Sequence, residues 1–132
     1  MKNAMNNDGR LPELLGKVKD RFNMLIPVML QMGIVEDLLH KKVVLAEAGG
    51  RAYTVTITPE GMTVSDADDP FCHARLVTTR EQWEKILTGK KTYATVFRFE
   101  LDPVRDVVAL KDMALVERFS SVMQAMVLLP LG

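Results

Sequence analysis

Apolar residues recur at helical spacing early in the chain, where Leu11, Leu14, Leu15, Val18, Phe22, Leu25 and Ile26 fall on one face of a helix. Pro12 suits the first turn of such a helix, because its missing N–H is one that the helix start leaves unpaired anyway. Pro27 should end or kink the helix. Residues 1–10 are polar and small with nothing to bury. The expected division is therefore a flexible tail at 1–10 and one domain at 11–132. Val28, Met32, Val35, Leu38 and Leu39 resume a helical pattern that Gly33 weakens by up to about 1 kcal/mol relative to alanine. One bent helix and two short ones fit this stretch equally well.

From Lys42 the period changes to alternation. Lys42 to Glu47 predicts a strand, Ala48-Gly49-Gly50-Arg51 a turn, and Ala52 to Thr58 its hairpin partner. In that partner Tyr53, Val55 and Ile57 point one way and Thr54, Thr56 and Thr58 the other, as in a half-buried sheet. Pro59-Glu60-Gly61 predicts a second turn, Met62 to Ser65 a short strand, and Cys72 to Thr78 the next strand after an acidic loop.

The stretch Leu76 to Lys91 joins a strand end to an amphipathic helix. Thr79 followed three residues later by Gln82 fits a capping box, in which the Gln side chain would reach back to the start of the helix. Trp83, Ile86 and Leu87 share one face, Glu81 and Lys85 form an i, i+4 pair on the other, and Gly89 is a natural stop. Thr92 to Leu101 fits either a strand or a helix. Val104 to Leu110 predicts the last strand. Asp112 is a suitable N-cap for a closing helix whose stripe is Val116, Phe119, Val122, Met123 and Met126, and Pro130 stops it.

Composition narrows the function classes. With 48% hydrophobic and 26% charged residues, the 132-residue chain is an ordinary globular domain. Lysine plus arginine balance aspartate plus glutamate at 17 each, so no net field favours nucleic acid or an anionic membrane. The most apolar run, Met24 to Leu39, is broken by Pro27, Gln31, Gly33, Glu36 and Asp37, and falls short of the ~20 residues that span a bilayer. A lone cysteine excludes an internal disulfide, the first residues lack the apolar core of a signal peptide, and the expected location is the cytoplasm.

Catalytic motifs are not evident. Cys72 and His73 are consecutive on a strand and so face opposite ways, and the acidic residues just upstream disfavour a thiolate. The start Asp66-x-Asp68 fails as a calcium loop, because Phe71 stands at the glycine position and Val77 at the closing glutamate position. His40 and His73 have no spacing that points to a metal. The glycines form no phosphate-binding pattern, and no nucleophile elbow is present. The expectation is a protein that is not an enzyme, with no cofactor and no metal. The nine methionines are the unusual feature, since most internal ones fall in helical segments and methionine adapts to irregular apolar shapes.

The motif Thr-Arg-Glu-x-Trp-x-x-Ile-Leu-Thr-Gly-Lys at Thr79 to Lys90, followed by Asp112-Met113-Ala114-Leu115 opening the last helix, resembles the sterol carrier protein type lipid-transfer domain. The resemblance runs in element order from the first helix to about Met126. It departs where that family brackets the strand before the last helix with glycines, since Lys111 holds the closing position here. It implies an α+β fold in which a mostly antiparallel sheet of about five strands carries helices on one face, with an apolar tunnel between the layers. The implied lipid-lining residues are Trp83, Leu87, Phe97, Phe99, Val116, Phe119, Met123 and Met126. The implied function is non-catalytic carriage of a fatty acyl, sterol or isoprenoid-like ligand, without nucleic acid or stable membrane insertion. The alternative is an accessory module with no bound lipid, meeting a second copy or a partner protein through its apolar C-terminal helix.

Overall fold

The computed structural model describes residues 3–93, 95–99, 107–110 and 113–128. Helix α1 runs over Asn3–Gln31, so it begins well before the expected start near Leu11 and takes Pro12 into its interior. It also passes through Pro27 without ending. Pro27 is itself exposed, so its ring lies away from the core. Ile26 and Met29, which flank the proline, are buried and hold both halves of the helix on the core. Gly33 is the true terminator. At φ 70° it forms a Schellman motif, with Ile34 N–H donating to the Met29 carbonyl at 3.0 Å and Gly33 N–H to the Leu30 carbonyl at 3.2 Å. Val35 and Leu38 then enter the core around a 3-10 turn at Glu36–Leu38.

Strands β1 (Lys41–Glu47), β2 (Ala52–Thr58) and β3 (Gly61–Ser65) form an antiparallel meander. β4 (Ala74–Thr78) does not continue it. It lies on the other side of β1 and runs parallel to it, with Val43 opposite Ala74 and Glu47 opposite Thr78. β5 (Val107–Leu110) pairs antiparallel with β4. The sheet has five strands in the order β3-β2-β1-β4-β5. It is mostly antiparallel, as expected, with its one parallel pair at the centre.

Helix α2 spans Arg80–Leu87, a π-helical turn spans Thr95–Phe99, and α3 spans Met113–Leu128. The stretch that fitted either a strand or a helix is helical where it is described, and Val96 is fully buried there. The expected cap Asp112 lies outside the described residues. α1, α2 and α3 pack on one sheet face, where Val43, Leu45, Val55, Ile57 and Leu76 meet Leu15, Val18, Phe22, Ile86, Phe119 and Met123.

The opposite face also buries apolar side chains, namely Val44, Ala46 and Val77. The connection from β3 to β4 lies over them as a strap. Thr54 on β2, expected to be solvated, is buried; its hydroxyl donates to the Ala67 carbonyl at 2.7 Å and accepts from the Asp69 N–H at 3.2 Å. At the far end of the strap, His73 N–H donates to the Lys42 carbonyl at 2.8 Å, and His73 Nδ1 accepts from the Lys42 N–H at 3.1 Å.

Candidate functional site

Thr79 caps α2 by accepting from the Gln82 N–H at 3.1 Å. The second half of the expected capping box is replaced, because the Gln82 amide oxygen accepts from Lys91 Nζ at 3.2 Å. Gly89, at φ 83°, ends α2 in the same motif that ends α1, with Gly89 N–H donating to Ile86 and Lys90 N–H to Lys85. These two signals fix where the helix starts and stops, and so which side of it faces the sheet.

That side carries Trp83, only 1% exposed, whose indole N–H donates to the Ala46 carbonyl at 2.7 Å. Around it stands a layer of aromatic rings drawn from separate elements. The Trp83 and Tyr93 ring centroids are 6.0 Å apart at 70°, Trp83 and Phe97 are 5.4 Å apart at 51°, and Tyr93 meets Phe119 edge-on at 6.2 Å and 84°. Such tilted and edge-to-face pairs are favoured by the ring quadrupoles.

Of the lipid-lining residues expected from the sequence, Trp83, Leu87, Phe119, Met123 and Met126 are all buried in this one core, and Phe97 and Val116 are half-buried against it. The side chain of Phe99 lies outside the described residues. Tyr93 joins the layer although the sequence reading did not select it. It is 2% exposed, and its hydroxyl is buried with no hydrogen-bond partner among the described residues. Burial pushes the Tyr93 phenol well above its ordinary value, so the group stays a protonated donor at any physiological pH. The Gln124 amide on α3 is likewise buried without a partner among the described residues.

Beside this core, a groove of about 310 Å³ opens between α1 and α3. Leu25, Val28, Met29 and Ile34 form one wall, and Arg118, Ser121, Val122, Ala125 and Met126 form the other. Met126 is the one residue shared with the expected lining. The α1 wall was missed. Val28 and Met32 follow the same helical pattern as core residues, yet they are 52% and 67% exposed, and with Met24 at 66% they form an i, i+4, i+8 row along the open side of α1 and the turn that ends it. Arg21 fastens the end of α3 to α1, its Nη1 donating to the Met126 and Val127 carbonyls at 2.9 and 3.2 Å. A cation there also suits the negative end of the helix dipole.

The remaining candidate chemistry sits on the opposite face, in and around the strap. Cys72 is half-buried against the outer-face cluster, and His73 Nδ1 is engaged by the Lys42 N–H. Asp69 pairs with Lys42 Nζ at 2.9 Å and Asp68 with Arg75 at 2.5 Å, and each of these hydrogen bonds holds its carboxyl below the ordinary value. Among the described residues no three His, Cys, Asp or Glu side chains are grouped to hold a metal, and no helix is long and apolar enough to cross a membrane.

No protein-family model and no curated protein matches the chain by sequence. Solved structures do match its fold. One is described as "UbiJ-SCP2 Ubiquinone synthesis protein", with a TM-score of 0.61 and 12% identity over 90% of this chain and 95% of that one. Another is the conserved hypothetical protein TT1886 of Thermus thermophilus, described as a candidate sterol carrier protein. It matches at a TM-score of 0.54 and 8% identity over 85% of this chain and 82% of that one. The meander, the strand added parallel to its first member and the helices layered on one face are therefore the sterol carrier protein type fold.

Proposed function

We propose that the protein binds and carries an apolar lipid ligand without transforming it, in the cytoplasm and without inserting into a membrane. The observation that carries this reading is the apolar groove between α1 and α3, set directly against the aromatic and methionine-rich layer beneath α3. At about 310 Å³ it lies at the lower end of the ~300–1,000 Å³ typical of ligand pockets. Trp83, Leu87, Phe97, Phe99, Val116, Phe119, Met123 and Met126 would line the space that opens when α3 moves outward as a cover. Burying ten methylenes contributes about 8 kcal/mol before association costs, so no charged contact is needed for useful affinity.

Native mass spectrometry of the purified protein, followed by organic extraction, tests this. A stoichiometric extra mass that extracts as a fatty acid, sterol or isoprenoid is the expected result. An unliganded mass, from a protein that also refuses a panel of fluorescent lipids, would overturn it.

A second reading rests on the exposed row Met24, Val28 and Met32 together with Leu128. Here the protein is an accessory module that meets a second copy or a partner along this edge. That a solved structure of the same fold is described as a ubiquinone synthesis protein supports an accessory role with no bound lipid. A mass that rises with concentration in lipid-free protein favours this reading over the first.

A further inference from the structure

We infer that the Tyr93 hydroxyl is the polar anchor of the bound ligand, which therefore has an acceptor oxygen at one end of an otherwise apolar body and enters with that end inward. This rests on the carrier reading above and specifies its ligand. A buried hydroxyl without a partner loses about 1–3 kcal/mol relative to one that is satisfied, and buried tyrosines ordinarily find a partner. The rings around Tyr93 offer none, since Trp83 approaches at 70° and Phe119 at 84°, and the Trp83 N–H is committed to the Ala46 carbonyl. Phenylalanine would fill the same apolar setting at no such cost.

The surroundings define what the hydroxyl would accept as a partner. The ring contacts of Tyr93 are aromatic, with Trp83 and Phe119, and burial favours an uncharged partner, so the complementary group is a neutral acceptor: a ketone, quinone, ester or ether oxygen, or a protonated acid. A carboxylate would lose its hydration on entering such a buried site, which disfavours it against a neutral acceptor. Phe119 connects this point to the groove. It touches the Tyr93 ring on one side, and one turn further along α3 stands Val122, which lines the groove. Phe119 and Tyr93 are both buried and lie outside the lining of the groove, so a ligand entering between α1 and α3 displaces Phe119 to reach Tyr93 and keeps its apolar body against Met29 and Met126.

The test compares a long-chain methyl ketone with the alkane of equal chain length, each displacing a fluorescent fatty-acid analogue from wild-type protein and from Tyr93→Phe. The expected result is a loss of about five- to tenfold in ketone affinity in the variant, with alkane affinity unchanged. In infrared spectra the carbonyl stretch of the bound ketone should fall in wild type relative to hexane and return in the variant. Equal losses for both ligands, or none for either, would overturn the inference and leave the carrier reading standing. Wild-type protein that takes neither ligand would sink both. Should Tyr93→Phe fail to fold, the wild-type spectrum alone decides, because an unshifted stretch means that no hydrogen bond reaches the ligand.

Discussion

The indole N–H of Trp83 on α2 donates to the backbone carbonyl of Ala46 on β1 at 2.7 Å, in the buried interior. This bond ties the helix to the strand at the middle of the sheet. Replacing Trp83 with Phe keeps the ring contacts but leaves that carbonyl without the indole donor and removes packed volume. We expect a loss of about 2–4 kcal/mol. Circular dichroism against urea measures it, since the variant no longer carries the chain's single tryptophan.

Asn23 protects the edge of the sheet. Its side-chain amide accepts from the Met62 N–H at 2.6 Å and donates to the Met62 carbonyl at 3.3 Å, so one helix residue stands in for a neighbouring strand. Asn23→Ala should cost about 1–2 kcal/mol in a urea titration and speed amide exchange at Met62. An unchanged exchange rate at that amide would show that the pairing is not maintained in solution.

Gly89→Ala should destabilise the protein by about 1–2 kcal/mol. The residue sits at φ 83°, and an added Cβ would lie 3.3 Å from Leu128 and 3.4 Å from Val127. Part of the penalty is therefore exerted on the end of α3, and the variant should show faster exchange in that last turn. Penalty without that change would assign the whole effect to the backbone of α2.

Ala125 is exposed on the α3 wall of the groove. Ala125→Phe should fill the groove, leave the melting temperature within a few degrees of wild type, and reduce uptake of a fluorescent lipid at least fivefold. Full uptake by a folded variant would remove the groove from the binding path.

Stability should decline in acid through the strap. Hydrogen bonds from Arg75 and Lys42 lower the folded-state values of Asp68 and Asp69 below the ordinary 3.8, so the unfolded chain binds more protons in that range. Their contribution is present above pH 3.8 and is lost as pH falls through the lowered folded values. Both pairs are partly solvated, which keeps the effect small. Urea midpoints against pH should fall less steeply below that point in a Lys42→Ala, Arg75→Ala double variant than in wild type.

What could be read from the sequence was local. Thr79 and Gly89 bound their helix because a cap and a left-handed glycine act on adjacent backbone, and β2 alternates because one of its faces is buried throughout. The parallel pairing of β1 with β4 leaves no such trace, because alternation in Ala74–Thr78 is the same whichever strand lies beside it. Pro27 allowed either an end or a bend, and α1 does not end there, because Ile26 and Met29 on its two sides are both buried on the core, a tertiary fact that the local pattern does not carry. The aromatic residues of the candidate site were legible as large apolar positions on helices. The α1 wall was not, since Val28 and Met32 have core spacing and are left open only by where α3 comes to rest. Tyr93 lies in the same stretch as Phe97, yet its place in the aromatic layer depends on tertiary contacts with Trp83 and Phe119 that no local pattern records.

The strap also sets an order of events during synthesis. β1, β2 and β3 can join as soon as they leave the ribosome, because only tight turns separate them. The second edge of β1 must wait until the strap and β4 have followed. For that interval Val43, Val44 and Leu45 present an open row of backbone donors and acceptors, the pattern through which chains pair wrongly with one another. Crowding of nascent chains should therefore be most damaging to this protein at one moment, after Ser65 has emerged and before Thr78 has.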